Sequence, residues 1–156
     1  MKTTILQVGK TADKLFAAAI DNYIGRIGHY MPVELVTIPE LRNTKNLSEE
    51  QQKTAEGELI LRQLKPGDTL VLLDEHGAER GSVDFARWLE QKRNTARRLV
   101  FAIGGPYGFS RQVYSRANEM VSLSRMTFSH QMVRLIFAEQ IYRACTIIKG
   151  EPYHHE

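Results

Sequence analysis

The sequence predicts an α/β protein with a mostly parallel sheet, and two observations lead to this class. Short runs rich in β-branched residues alternate with segments of helical periodicity. The runs at 69–73 and 99–103 are almost wholly apolar, as is typical of strands buried on both faces of a parallel sheet. The sequence has no internal repeat or low-complexity segment, so we expect one domain over residues 1–156.

The first half of the chain is expected to form two strand–helix units. Each boundary rests on apolar periodicity or on a capping pattern, the clearest of which is the capping box Ser-Glu-Glu-Gln at 48–51. In order, these elements are a strand at 3–8, an amphipathic helix at 13–27, a strand at 33–38, a polar loop at 39–47 and a helix from 48 to about 64.

The second half continues the alternation and ends in the longest helix. Serines open its two shorter helices, and glycines follow its buried strands. In order, we expect a strand at 69–73, a turn at 74–81, a helix capped by Ser82 and running through Leu89, a strand at 99–103, a short helix capped by Ser110, a strand at 119–123 and a helix from about Ser129.

Composition restricts the classes of function. The 156 residues are 42% hydrophobic and 25% charged, as in ordinary globular proteins, and no apolar run approaches the roughly 18 residues that span a membrane. The N-terminus does not resemble a signal peptide, and Cys145 is the single cysteine, so we expect a cytoplasmic protein. The net charge of +3 permits an RNA partner without requiring one, and no DNA partner is expected.

Three predicted strand ends carry residues suited to ligand binding, namely 73–77, 103–108 and 123–128. In open α/β sheets, ligands bind outside the carboxyl ends of the strands. Gly104 and Gly105 would let a ligand approach the backbone closely, although a purely structural turn is the alternative. Neither a GxGxxG fingerprint nor a P-loop is present, so the pattern predicts a site without naming its ligand.

The long C-terminal helix carries two further signals. His130 and Arg134 are four residues apart and are expected on one helix face, whereas Arg143 should lie opposite Arg134. The helix is apolar nearly all round, which indicates burial on more than one side. The sheet would cover one side and a second copy of the chain the other, with a central helix in a single core as the alternative. The tail at 150–155, with Pro, Tyr and two His, predicts a segment that packs on a site.

Metal chemistry is not expected. His29 and His76 are isolated, and the chain has no HExxH or paired Cys/His pattern. The adjacent Asp74, Glu75 and His76 would allow acid–base chemistry, but a polar turn explains them equally well.

Taken together, the motifs resemble those of the ribosomal RNA large subunit methyltransferase H family, within the SPOUT class of knotted methyltransferases. The resemblance covers the whole length, and Ser129 departs from it, because the family usually has proline there. Loss of that fixed turn is expected to loosen the start of the last helix. The resemblance rests on Val8-Gly9-Lys10, Glu56-Gly57, Ile60-Leu61, Leu73-Asp74, Gly77, Ile103-Gly104-Gly105, Gly108, Leu123-Ser124, Met126-Thr127-Phe128, His130-Gln131, Arg134, Glu139-Gln140, Tyr142-Arg143 and Pro152-Tyr153-His154.

The resemblance implies a fold, a cofactor and a reaction. The family fold has a C-terminal trefoil knot that binds S-adenosylmethionine in a bent conformation, and the protein is a homodimer. The implied reaction methylates N3 of a pseudouridine in helix 69 of 23S rRNA, on the assembled ribosome. The positions implied to hold the cofactor are Leu73, Gly104, Leu123, Ser124, Arg125, Met126, Thr127 and Phe128.

The implied reaction also assigns candidate roles. N3 of pseudouridine bears a proton that it must lose before it attacks, so a base or a stabilising positive charge is needed. The catalytic candidates are Arg134, His130 and His154. The RNA-binding candidates are Arg143, Tyr153, His154 and His155, and packing of the tail onto a partner subunit is the alternative role for Tyr153. Two competing functions are a flavodoxin-like nucleotide-binding module and a non-catalytic ribosome-binding factor.

Overall fold

The computed structural model describes residues 2–155, which contain five strands and five α-helices. Met1 and Glu156, the two ends of the predicted domain, lie outside the described residues. A short 3-10 turn, Thr44–Asn46, interrupts the predicted polar loop. The elements are β1 (Lys2–Val8), α1 (Lys14–Ile27), β2 (Val33–Ile38), α2 (Glu49–Arg62), β3 (Thr69–Glu79), α3 (Ser82–Thr95), β4 (Arg98–Ile103), α4 (Arg111–Arg116), β5 (Glu119–Ser122) and α5 (Met132–Lys149).

The five strands form one sheet in the order β2-β1-β4-β3-β5, and every neighbouring pair is parallel. The predicted α/β class is therefore confirmed, with a wholly parallel sheet in the described part of the chain. All five carboxyl ends lie at the same edge of the sheet, where the sequence places its glycine- and serine-bearing segments.

Helices cover both faces of the sheet. Alternate residues of each strand point to opposite faces, so in β4 Phe101 packs under α1, α3 and α5, while Val100 and Ala102 pack under α2 and α4. Helix α5 lies against both α1 and α3, with Phe137 and Ile141 fully buried. Within residues 2–155, no helix is long and apolar enough to cross a membrane.

The predicted caps are confirmed at two helices and wrong at one. Ser48 and Ser110 accept backbone N–H groups at the starts of α2 and α4. Asp13, expected as the first residue of a helix, is the N-cap of α1. Ser82 is instead the first residue of α3, and Gly81 is its N-cap. Gly81 has extended backbone there, and its carbonyl accepts the first helical hydrogen bond from the N–H of Phe85.

The predicted turn at 74–81 is wrong, because β3 continues through Glu79. Val121 of β5 pairs with both Leu73 and Ala78, so the four residues between them form a bulge. Gly77 makes this possible, since a Cβ there would lie 2.6 Å from the backbone of Met120. The polar residues at 74–77 thus interrupt a strand instead of forming a turn after it.

The start of α5 differs from the expectation drawn from Ser129. Its hydroxyl accepts the N–H of Met132 at 3.0 Å, and its carbonyl accepts the N–H of Val133 at 3.0 Å. The serine thus fixes the first turn through hydrogen bonds, where a proline would have done so through its ring.

We expect Gly77→Ala to lower the free energy of unfolding by about 2–3 kcal/mol, because the added methyl group meets β5 backbone that has little room to move. Gly25→Ala is the matched control, since its Cβ would meet nothing within 4 Å. That exposed helical position should gain about 0.5–1 kcal/mol. Urea unfolding followed by circular dichroism measures both, and equal effects at the two positions would refute the close approach at Gly77.

Candidate active site

The carboxyl ends of β3, β4 and β5 meet in one cleft with a volume of about 570 Å³. Its three walls are residues 73–76, 103–109 and 123–130, the last without Arg125. Tyr114 of α4 and Val133 of α5 complete the lining. Because ligands of parallel sheets bind at this edge, the cleft is the candidate active site.

The first wall presents an ionised carboxylate. The backbone N–H of His76 donates to Asp74 Oδ1 at 2.9 Å, and the Tyr114 hydroxyl donates a short hydrogen bond to Oδ2. Burial works against ionisation, but these donors hold the pKa of Asp74 below its ordinary value. Burial and the same carboxylate raise the pKa of Tyr114 above its usual range. The bulge in β3 therefore places a fixed negative charge in the cleft.

The second wall is a glycine turn. Gly108 has a φ of 82°, which favours glycine, and its N–H donates to the carbonyl of Gly105 at 3.1 Å. A Cβ on Gly104 would lie 3.3 Å from the ring of Phe109, and one on Gly105 would lie 2.9 Å from Glu56 Oε1. The turn is thus packed from behind, with its backbone facing the cleft.

The third wall is the segment that follows β5. The Ser122 hydroxyl donates to the carbonyl of Ser124 at 2.9 Å, and Ser124 Oγ accepts the N–H of Met126 at 3.0 Å. The Thr127 hydroxyl donates to Glu75 Oε2 at 3.3 Å and so joins the third wall to the first. Met126 is 76% exposed on the cleft, so its side chain is open to a ligand.

Seven of the eight positions implied to hold the cofactor lie on this cleft. Arg125 is the one that does not, because its Nε contacts Glu79 Oε1 at 3.0 Å and its side chain is 90% exposed. The seven positions on the cleft are Leu73, Gly104, Leu123, Ser124, Met126, Thr127 and Phe128.

The catalytic candidates His130 and Arg134 do not share a helix face, so that prediction is wrong. Helix α5 begins at Met132, and His130 precedes it and lines the cleft. The buried guanidinium of Arg134 donates instead to the carbonyls of Val8 at 2.7 Å and Gly9 at 2.9 Å. Burial lowers the pKa of Arg134, and its side chain is not part of the cleft lining.

The RNA-binding candidates of the tail lie along α5 and outside the cleft lining. Arg143 Nη1 and His154 Nδ1 are 3.0 Å apart, and the Arg143 guanidinium stacks over the Tyr153 ring. The Tyr153 hydroxyl donates to Glu139 Oε1 at 3.0 Å, and burial together with this bond raises the pKa of Tyr153. His155 is exposed. The tail does pack on other residues, as expected, but on those of its own chain.

Sequence reasoning missed two residues that shape the site. Tyr114 binds Asp74 across 40 positions of sequence, and Glu56 reaches the glycine turn from α2. The Ser110 cap fixes the start of α4 and gives a signal for where Tyr114 lies, but nothing local links it to Asp74. Among residues 2–155, no group of His, Cys, Asp or Glu side chains is arranged to hold a metal ion.

A parallel α/β sheet with a ligand cleft at its carboxyl edge, closed by the segment before the last helix, defines a class of nucleotide- or cofactor-binding enzymes. The family model described as "Predicted SPOUT methyltransferase" matches residues 1–154, and the chain belongs to this family. It is a methyltransferase, and the family implies the C-terminal knot. This result favours the methyltransferase interpretation over the flavodoxin-like module.

Curated relatives match the chain over its full length. A protein of Bacteroides fragilis is 60% identical, with 100% of both chains covered, and one of Phocaeicola vulgatus is 59% identical with the same coverage. A protein of Porphyromonas gingivalis is 55% identical, again over 100% of both. Each is named ribosomal RNA large subunit methyltransferase H.

We expect Tyr114→Phe to cost roughly 1 kcal/mol of stability at neutral pH, because a buried carboxylate loses a hydrogen-bond donor. The pKa of Asp74 should rise, since its ionised form is the one stabilised. The difference from the unsubstituted protein is full above the ordinary Asp pKa and disappears as the pH falls through the lowered pKa of Asp74.

Urea unfolding at neutral and acidic pH tests this expectation. Tyr107→Phe is the control, because Tyr107 also lines the cleft and its hydroxyl makes no hydrogen bond among the described residues. A stability loss for Tyr114→Phe that persists unchanged in acid would contradict the assignment.

Proposed function

We propose that this methyltransferase uses S-adenosylmethionine to methylate N3 of a pseudouridine in helix 69 of 23S rRNA, acting on the assembled ribosome as a homodimer of single-domain chains. The names of the full-length relatives support rRNA as the substrate. The observation that carries the cofactor assignment is the convergence of seven implied positions on one cleft.

The cleft fits such a cofactor. Leu73, Ile103 and Leu123 offer apolar contact for a purine ring, and the glycine turn leaves backbone groups accessible. The carboxylate of Asp74 suits a ligand that carries positive charge. When bound, S-adenosylmethionine supplies a methyl group already activated by its sulfonium centre.

The protein's own task is then to orient the target base and take up its proton. Two imidazoles are candidates to accept the N3 proton, either directly or through a water: that of His130, which lines the cleft, and that of His154 from a second copy. Arg134 acts indirectly, because its guanidinium donates hydrogen bonds to the carbonyls of Val8 and Gly9 at the end of β1. These bonds hold the start of α5 in position. We therefore assign Arg134 a positioning role.

Distance along α5 supports the proposed homodimer. Val133 lines the cleft, while Arg143, which contacts His154, lies ten residues further along the helix, or about 15 Å at 1.5 Å per residue. One chain therefore keeps its tail away from its own cleft. The tail of a second copy would bring Tyr153, His154 and His155 to that cleft, for base stacking, proton transfer and RNA contact.

The outward surface of α5 supports the same dimer. Met132, Leu135 and Ile136 are only half-buried in the single chain, and Leu15 of α1 is 81% exposed. A second copy would remove this apolar surface from water. With a net charge of only +3, the protein has little general attraction for RNA, so recognition should depend on the shape of the ribosome.

Ribosomes from cells that lack this gene should accept labelled methyl from S-adenosylmethionine at one helix 69 pseudouridine, which mass spectrometry of 23S rRNA fragments would locate. S-adenosylmethionine should also raise the melting temperature, whereas FMN and ATP should not. Cofactor binding without label on any rRNA would favour a non-catalytic ribosome factor, and stabilisation by FMN alone would favour the flavodoxin-like module.

Deletion of residues 151–156 should keep S-adenosylmethionine binding and lose methyl transfer, because the tail serves a partner's cleft while the cofactor is held within one chain. Isothermal titration measures the first effect and the ribosome assay the second. Glu151→Ala is the control, since it removes the hydrogen bond from Tyr30 to the tail at 2.6 Å and keeps the tail itself. Full transfer by the truncated protein would refute the assignment of the tail.

A further inference from the structure

Glu56 is a buried acid placed directly behind the glycine turn of the cleft. Glu56 lies in α2 and is only 6% exposed, and Gln52 Nε2 donates a hydrogen bond to its Oε2 at 3.3 Å. Oε1 has no hydrogen-bond partner among the described residues, and it lies 2.9 Å from the place that a Cβ of Gly105 would occupy. A buried carboxyl oxygen without a hydrogen-bond partner lowers the stability of the folded state, which suggests that Glu56 has a role other than stabilising the fold.

We propose that the carboxyl of Glu56 is a positioning group that holds the Gly104-Gly105 turn against the cofactor cleft, and that Gly105 has no side chain because this carboxyl fills the space. The inference rests on the proposed use of the cleft for S-adenosylmethionine. It concerns a residue that does not itself line the cleft.

Packing of α2 on the whole turn supports this role. The residue after Glu56 is Gly57, and a Cβ there would collide with the Ser110 hydroxyl. Helix α2 therefore meets the 104–110 segment at two points, Glu56 at its start and Gly57 at its end. Since Gly104 and Gly105 line the cleft on their other side, a shift of the Glu56 carboxyl moves the cofactor wall.

The surroundings favour the neutral acid. Burial raises the pKa of Glu56, the hydrogen bond from Gln52 works against this, and the negative charge of Glu40 after β2 raises it further. The turn contributes Gly105 and Ser110, neither of which titrates. An ionised Glu56 would be a buried charge without a cationic partner among these neighbours, and it would draw water in behind the turn.

The raised pKa of Glu56 predicts how cofactor affinity depends on pH. An ionised Glu56 would draw water in behind the turn, so cofactor affinity should be highest below the raised pKa of Glu56 and fall as the pH rises through it. Glu56→Gln keeps the shape and stays neutral, so its affinity should match the unsubstituted protein at low pH and lack that fall. The cofactor's own titration affects both proteins alike, so the comparison isolates Glu56.

The first measurement is isothermal titration with S-adenosylmethionine at pH values below and above the raised pKa of Glu56. Glu56→Ala should weaken binding roughly tenfold, which corresponds to about 1.4 kcal/mol, whereas Glu56→Gln should stay within about twofold at low pH. Glu58→Ala is the matched control, because Glu58 is exposed on the same helix. Gly105→Ala should weaken binding at least as much, and adding Glu56→Ala to it should restore part of the affinity, because the new methyl group then has space.

Amide hydrogen exchange of Gly108 in the cofactor-free protein provides the second measurement. Its N–H bonds to the carbonyl of Gly105, so it reports on the turn directly. Faster exchange in Glu56→Ala, but not in Glu58→Ala, is expected. Unchanged exchange together with unchanged cofactor affinity would overturn the inference. If S-adenosylmethionine does not bind the unsubstituted protein but Glu56→Ala still loosens Gly108, the proposed function fails and the role of Glu56 in the turn stands.

Discussion

The structure depends on how the chain travels from an edge strand to its last helix. β5 lies at one edge of the sheet, whereas α5 packs between α1 and α3 and reaches the end of β1. Residues 123–131 must therefore cross the carboxyl ends of β3 and β4. Arg134 fixes the far end of this crossing by donating to the carbonyls of Val8 and Gly9 and to Thr11 Oγ1. A buried guanidinium tolerates few alternative arrangements, so this attachment is specific.

The cleft is a consequence of that crossing. A parallel sheet alone would offer the ends of β3 and β4 to solvent, and the crossing segment adds a third wall over them. The bond from Thr127 to Glu75 joins this segment to the bulge in β3, and Gln131 accepts the N–H of Ala12 near the end of β1. The walls are thus held to each other and to the sheet, which is the rigid support that a binding site requires.

The sequence predicts what depends on local pattern. The existence of the five strands, the capping box at 48–51 and the convergence of three strand ends follow from local pattern and from the geometry of parallel sheets, and these are observed. The bulge at 74–77 was missed, because it depends on the fit of Gly77 against β5, more than 40 residues away. The shared helix face of His130 and Arg134 is predicted wrongly, since helical spacing gives the relation between side chains only after the start of the helix is known.

The charges of the cleft restrict how RNA could approach it. Asp74 and Glu75 line the cleft, and no Lys or Arg stands among its described lining residues, so the lining is negative. Such a site attracts a cationic cofactor and repels the phosphate backbone of RNA. A target base carries no charge, so a base that is flipped out of its stack can enter the cleft without the electrostatic repulsion that a phosphate would meet. The backbone must then be held elsewhere, and in the proposed dimer this task falls to basic groups near the tail of the second copy. The acidic cleft therefore supports the proposed sulfonium cofactor, and it requires that the contacts to RNA phosphates lie outside the cleft.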